Sequence, residues 1–133
     1  MYRSPVLDDR TPYERDVLPF VRPFTNALVA SLPTGNGASP ARVGRHLDHG
    51  CGTGEVVSAV RAHHSVALDP NAAMCLRARA RFANESSVEV VEGTLDNYLN
   101  NYLSQHANQH VEPFDLITSQ LVLSFVPEPF REL

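Results

Sequence analysis

Several things are scarce in this sequence, and each scarcity removes a class of protein. Only two cysteines, Cys51 and Cys75, occur in 133 residues. One falls in a glycine-rich run and the other in a segment patterned as a helix. A disulfide framework is therefore not expected, and a reducing, cytoplasmic compartment is. No apolar run approaches the roughly 18 residues of a membrane span. The opening Met1-Tyr2-Arg3-Ser4-Pro5 is not followed by the apolar core of a secretory signal. No membrane partner is expected. Basic charge is not in excess, because the formal net charge is −4 and the isoelectric point about 5.8. A nucleic-acid partner gripped by bulk charge is thus not expected either. No internal repeat stands out. What remains is a chain 43% hydrophobic, enough to bury a core, and of a length that fits one domain.

Hydrophobic patterning divides the chain into alternating strands and helices. Residues 1–22 are rich in proline and charge. Pro23 suits the first turn of a helix running to about Leu32, with Phe24, Leu28 and Leu32 on one face. Residues 33–40 form a breaker loop. A first strand is expected over residues 43–48, polar for a buried strand because it carries Arg45 and His46. A helix over about 54–62 follows, then a turn at His63-His64 and a second strand at 66–68. Asp69 or Asn71 is placed to cap a helix over 72–83. Residues 88–92 read as a third strand, 95–103 as a short helical stretch, 100–113 as a polar surface loop, and 114–119 as a fourth strand. Residues 121–126 continue the apolar stretch. This order predicts a Rossmann-like α/β fold, a three-layer α/β/α arrangement around a parallel sheet.

The densest chemical signal is Leu47-Asp48-His49-Gly50-Cys51-Gly52-Thr53-Gly54-Glu55. A strand that ends in such a loop and runs into a helix can turn bare backbone N–H groups toward a ligand. The glycines stand as Gly-x-Gly-x-Gly, tighter than the Gly-x-Gly-x-x-Gly of dinucleotide sites. Asp48 in front would repel a phosphate but suits an ammonium group. Asp69 lies nineteen residues after Gly50, the position of the acid that holds ribose hydroxyls in Rossmann-like folds. A carboxylate can accept two hydrogen bonds from a vicinal diol. A neutral loop, an acid for an amine and an acid for a ribose fit S-adenosyl-L-methionine better than a nicotinamide dinucleotide.

On these residues the chain resembles the class I S-adenosylmethionine-dependent methyltransferases, of the small-molecule type labelled methyltransferase domain 11. The resemblance covers about residues 43–133. It rests on the glycine run, on Val66-Ala67-Leu68-Asp69-Pro70-Asn71 with Met74, on Val91-Glu92-Gly93-Thr94-Leu95-Asp96, and on Phe114-Asp115-Leu116-Ile117-Thr118-Ser119-Gln120. It implies that Asp48, His49, Gly50, Cys51, Gly52 and Gly54 line the methionine part of the cofactor. It places Asp69 and Pro70 at the ribose, and Thr94, Leu95 and Asp96 beside the adenine. Gln120 would stand near the methyl group. The chain departs from the family at Thr94, where an Asp is common, and at Ser124-Phe125, where a His-aromatic pair is common. No catalytic base carries over. The alternative is a module that binds the cofactor or a related nucleoside without transferring methyl, or a partner subunit of a methyltransferase.

The resemblance further implies a domain of seven strands, of which this sequence reaches the fourth. A fragment supplying the cofactor-binding half of the domain is expected, with residues 1–42 as an N-terminal segment over the cofactor or substrate. A bare fourth strand would offer a second chain a place to pair. The expected acceptor is a small molecule. Tyr13 and Arg22-Pro23-Phe24 are candidates for covering the site. Cys51 reads as packing and not as a nucleophile. Arg77, Arg79 and Arg81 alternate and read as solvated. His106 and His110 lack the further ligands a zinc site needs, so no metal is expected.

Overall fold

The computed structural model describes residues 12–32 and 43–120. The expected breaker loop at 33–40, the apolar stretch at 121–126 and residues 1–11 of the N-terminal segment lie outside these residues. Four strands form one parallel sheet: β1 (Val43–His49), β2 (Ala62–Asp69), β3 (Val88–Glu92) and β4 (Leu116–Ser119). Their spatial order is β3-β2-β1-β4. The sheet grows from β1 toward β2 and β3 on one side and toward β4 on the other. The chain thus reverses direction across the sheet beside β1, and in open parallel sheets ligands bind at the carboxyl ends of the strands at such a point.

Helices lie on both faces, giving the expected three-layer Rossmann-like fold. On one face α2 (Glu55–Ala59) and α3 (Ala72–Arg81) bring Val57 and the following Phe82 onto Ala67 and Cys51. On the other, α4 (Leu95–Gln105) places Leu95 and Tyr98 on Leu47, Val66 and Leu68. The alternation of β1 sets this division: Leu47 faces α4, whereas His46 and Asp48 share the face with Ala67. Asn71 caps α3, its side chain accepting from the N–H groups of Ala73 and Met74.

The structure moves several expected boundaries. His63 and His64 are not a turn but part of β2, because the strand pairs with β1 from Val43↔Ala62 onward. The helix expected from Pro23 begins earlier. A π-helical turn over Tyr13–Val17 leads into α1 (Leu18–Ala30), with Pro19 in its first turn and Pro23 inside it. Its buried residues are Leu18 and Thr25, while Phe24 is exposed. The expected apolar face of Phe24, Leu28 and Leu32 is therefore not the packed one. The polar segment after residue 100 is helical as far as Gln105. Tyr98, Tyr102 and His106 recur every four residues there, and neighbouring rings lie 5.9 and 4.3 Å apart. The Arg45 guanidinium lies over Tyr102 and over Phe114, anchoring that ladder to the sheet. The fourth strand starts at Leu116 because the Asp115 carboxylate accepts the Arg45 N–H at 2.7 Å in place of a ladder carbonyl.

Gly54 is fixed by packing as well as by its backbone. Its φ is +90°, and a Cβ there would run into the Phe82 ring, with Cζ at 2.9 Å. Gly54→Ala is expected to destabilise the fold by about 2–4 kcal/mol, combining left-handed strain with overpacking. Urea unfolding would measure it. Adding Phe82→Leu to Gly54→Ala should relieve the overlap and leave the backbone strain.

Candidate functional site

The loop after β1 is built differently from an anion cradle. Gly52 has φ +54° and Gly54 +90°, conformations that glycine adopts without a steric cost. The N–H groups do not point outward, however. Those of Gly50 and Cys51 both donate to the Leu68 carbonyl at 2.8 and 3.0 Å, and that of Gly54 to the Cys51 carbonyl at 2.9 Å. The N–H of Gly52 donates to Asp69 Oδ2 at 2.9 Å. The expectation of bare N–H groups at these four positions is thus corrected. The loop is tied inward to the end of β2, so these groups are not free to cradle a pyrophosphate.

Acidic groups gather around the loop instead. Asp48 is 2% exposed, and its Oδ1 accepts the Thr118 hydroxyl at 2.6 Å. Burial pushes its carboxyl up to about 7, against the pull of that hydrogen bond and with further help from the charge of Asp69. Behind it, His46 is fully buried, and burial pushes its imidazole down to about 4. Its Nε2 lies 2.7 Å from Thr118 Oγ1 and its Nδ1 3.3 Å from Ser65 Oγ. Glu55 begins α2 and pairs with Arg81 at 2.8 Å. Arg81 also donates to the Thr53 carbonyl, so it is not the free solvated side chain expected. Burial raises the Cys51 thiol, and the charges of Asp48 and Asp69 raise it further. Cys51 is thus a packed thiol, as expected.

A small cavity of about 40 Å³ adjoins Asp48, lined also by Tyr13, Thr53, Glu55 and Gln120. The Thr53 hydroxyl is buried there without a hydrogen-bond partner among the described residues. A buried polar atom without a partner is costly, and such atoms mark places where a ligand group or water completes the site. Helix α1 lines one side of this cavity through Leu18, Val21 and Thr25. Gln120 accepts from the Thr25 hydroxyl at 2.9 Å and donates toward the Val21 carbonyl at 3.4 Å. The Tyr13 hydroxyl lies 3.5 Å from where a Cβ on Gly52 would stand. Burial raises the Tyr13 phenol, followed by the charges of Glu55, Asp69 and Cys51. The cavity has room for a small polar group, not a nucleoside, which would have to lie outside it along the strand ends.

The sequence-derived residues fall into two groups around this point. Asp48, Gly50, Cys51 and Gln120 line the cavity, and Gly52 and Gly54 shape the loop beside it. Asp69 stands at the end of β2, where its two oxygens accept the N–H groups of Gly52 and Asn71. Each oxygen keeps a second lone pair for another donor. His49 has its Nδ1 3.5 Å from Ser119 Oγ, and Pro70 is exposed. Thr94 caps α4 by accepting the Asn97 N–H at 3.3 Å. Leu95 packs into the core, and Asp96 is exposed in the first turn of α4. Thr53, Thr25 and Thr118 were missed by sequence reading. Thr53 sits inside the glycine run, and its hydroxyl was the available signal. A second groove of about 520 Å³ runs under α4, lined by Arg45, His64, Glu92, Asn97 and Tyr98 among others.

Comparison with known proteins places this geometry in a class. The sequence pattern described as a methyltransferase domain matches residues 47–133. The chain belongs to the methyltransferase domain family. No curated protein matches the sequence. Among solved structures, YcgJ from Bacillus subtilis shares 17% identity over 84% of this chain and 44% of its own, with a TM-score of 0.58. A protein from Methanococcus maripaludis, described as an S-adenosyl-L-methionine-dependent methyltransferase, shares 19% over 91% of this chain and 52% of its own, also at 0.58. A Haemonchus contortus phosphoethanolamine N-methyltransferase, solved with phosphoethanolamine and S-adenosylhomocysteine, shares 14% over 71% of this chain and 18% of its own, at 0.52. These likenesses establish the fold. The chain spans about half the length of the first two proteins.

The two perturbed groups in β1 give opposite pH dependences of stability. Asp48 is raised from 3.8 to about 7, so its contribution is full below pH 3.8 and is lost as pH rises through 7. His46 is lowered from 6.5 to about 4, so its contribution is full above pH 6.5 and is lost as pH falls through 4. Between about pH 4 and 6.5 the slopes, about 1.4 kcal/mol per pH unit each, cancel. Relative to the parent, Asp48→Asn should gain stability with rising pH across this window, and His46→Val should lose it. Denaturant midpoints at half-unit pH intervals would check both signs.

Proposed function

We propose that this chain binds S-adenosyl-L-methionine and serves methyl transfer to a small-molecule acceptor, contributing the cofactor-binding half of the enzyme. The observation that carries the reading is the inward-turned glycine loop set among Asp48, Asp69 and Glu55. A site whose loop N–H groups are engaged, whose Arg81 is held by Glu55, and whose remaining charged groups, Asp48 and Asp69, are acidic disfavours a pyrophosphate and favours a cationic ligand. The donor set fits such a ligand: a buried carboxylate, an unpartnered hydroxyl and a carboxylate with lone pairs to spare. When bound, the cofactor supplies a methyl group already activated on a sulfonium, so the protein mainly positions and shields.

In this reading Asp48 meets the ammonium and Thr53 a neighbouring polar group. Asp69 accepts ribose hydroxyls while holding Gly52, and Thr94, Leu95 and Asp96 border the adenine. His49, Gly50, Cys51, Gly54 and Pro70 shape the walls, and Gln120 keeps α1 over the methionine end. No residue is assigned as a general base. The negative net charge supports a small acceptor over a nucleic acid. The two buried free thiols agree with a reducing, cytoplasmic compartment.

Calorimetry should detect binding of S-adenosylmethionine and S-adenosylhomocysteine and none of NAD; tight binding of NAD alone would end the proposal. Asp69→Ala should weaken S-adenosylhomocysteine roughly 10- to 100-fold, the loss of charge-assisted hydrogen bonds. At pH 8, Asp48→Asn should weaken S-adenosylhomocysteine about tenfold or more and leave methylthioadenosine, which has no ammonium, unchanged. Equal losses for both ligands would remove Asp48 from the ammonium site.

A further inference from the structure

One buried feature is not needed to bind a cofactor: a file of four polar side chains crossing three strands. Asp48, Thr118, His46 and Ser65 are 2, 3, 0 and 4% exposed. They are linked in that order at 2.6, 2.7 and 3.3 Å. Register places them so: Thr118 is opposite Asp48 between β4 and β1, and Ser65 is opposite His46 between β2 and β1. In a parallel sheet, paired residues stand on the same face. The two ends differ in surroundings. Asp48 borders the small cavity under α1. Ser65 lines a separate open cleft of about 360 Å³, bordered also by Arg61, Glu85 and Ser87.

Hydrogen counting gives this file two states. With Asp48 ionised, Thr118 must donate its one hydroxyl hydrogen to the carboxylate. Its oxygen then accepts from His46 Nε2–H, and the bare Nδ1 accepts from Ser65 Oγ–H. With Asp48 protonated, every bond reverses. The carboxyl donates to Thr118, Thr118 donates to His46 Nε2, and Nδ1–H donates to Ser65. The imidazole is neutral in both, and only its tautomer differs. The states interconvert by four short moves. The Asp48 proton passes to Thr118, the Thr118 hydrogen to Nε2, the Nδ1 hydrogen to Ser65, and the Ser65 hydrogen to solvent in the cleft. One proton leaves, and no other bond changes.

We propose that Ser65, His46 and Thr118 form a proton path by which Asp48 discharges to the far cleft, so that it can ionise while a ligand fills the cavity above it. His46 and Thr118 are positioning residues that act through Asp48. The path rests on the geometry alone; its use, to create the charge that meets a ligand ammonium, rests on the reading of Asp48 given above. The burial that raises the Asp48 carboxyl toward neutrality makes the protonated state accessible near physiological pH. The groups facing Asp48 are Asp69 from the end of β2, Cys51 from the loop, and Tyr13 and Glu55 across the cavity. None is a cation. An arriving ammonium is therefore the group that would shift Asp48 toward its ionised form. Arg45 and His64 do not enter the file. Arg45 lies over Phe114 and Tyr102, and His64 faces Glu89 at 3.8 Å.

The test follows His46 by nitrogen NMR on the full chain with labelled histidine, first without ligand. Raising pH from about 5 to 9 should exchange the two ring-nitrogen signals, Nδ1–H giving way to Nε2–H, while the ring stays neutral. Asp48→Asn and Thr118→Val should each abolish the exchange. A single tautomer throughout in the parent chain, or a ring that becomes cationic above pH 5, would overturn the path; this arm needs no variant to fold and no ligand to bind. Next, S-adenosylhomocysteine is added at pH 6. It should convert His46 to Nε2–H and release close to one proton per ligand, read by calorimetry in buffers of different ionisation heat, with almost none released at pH 8. Binding without proton release would overturn the coupling. Failure to bind at all would overturn the cofactor reading instead, and the ligand-free titration would still decide the path.

Discussion

Central placement of β1 is the constraint on which the rest depends. Hydrogen-bonded on both sides by parallel neighbours and covered by helices on both faces, the last four residues of this strand are buried. Yet it carries two histidines and an aspartate in its last four residues. Each must find a protein partner or change its protonation. Thr118 and Ser65 supply those partners because register sets them opposite Asp48 and His46. The same burial that makes β1 a rigid platform keeps His46 neutral and holds the Asp48 proton more tightly than water would.

The glycine loop inherits its shape from this platform. The Leu68 carbonyl at the end of β2 takes two of its N–H groups, and Asp69 takes a third. Asp69 is thus a structural clamp between the loop and the end of β2, and its Oδ1, accepting the Asn71 N–H, helps start α3. The charge character of the loop follows: folded back on its own strand ends, it stands among Asp48, Asp69 and the Glu55–Arg81 pair. Helix α1 completes the enclosure through Thr25 and Gln120, residues 95 positions apart.

Much of this was legible in the sequence. The alternation of short apolar runs with helical segments announced a parallel α/β sheet, and the glycine run and Asp69 fall, as their spacing implied, at the ends of neighbouring strands. The errors share a physical cause. His63 and His64 read as a turn because they are polar, but pairing with β1 draws them into β2. Phe24 read as sharing a helix face with Leu28 and Leu32 because the three are four apart, but α1 packs through Leu18 and Thr25. Residues after 100 read as loop because they are polar, but a ladder of Tyr98, Tyr102 and His106 supports a helix there. Local composition favoured one answer in each case, and a partner distant in sequence decided otherwise.

The sequence by itself determined the class of fold and set the glycine run and Asp69 at neighbouring strand ends, because periodicity, glycine spacing and residue type are local properties. Only the tertiary structure decided which way the loop N–H groups point, which hydroxyl lacks a partner and which face of α1 is buried. It also decided that His46, which the sequence showed only as a polar residue in a buried strand, stands in line with Asp48. Those properties belong to strand register and helix placement, and register is set by contacts between residues up to 72 positions apart.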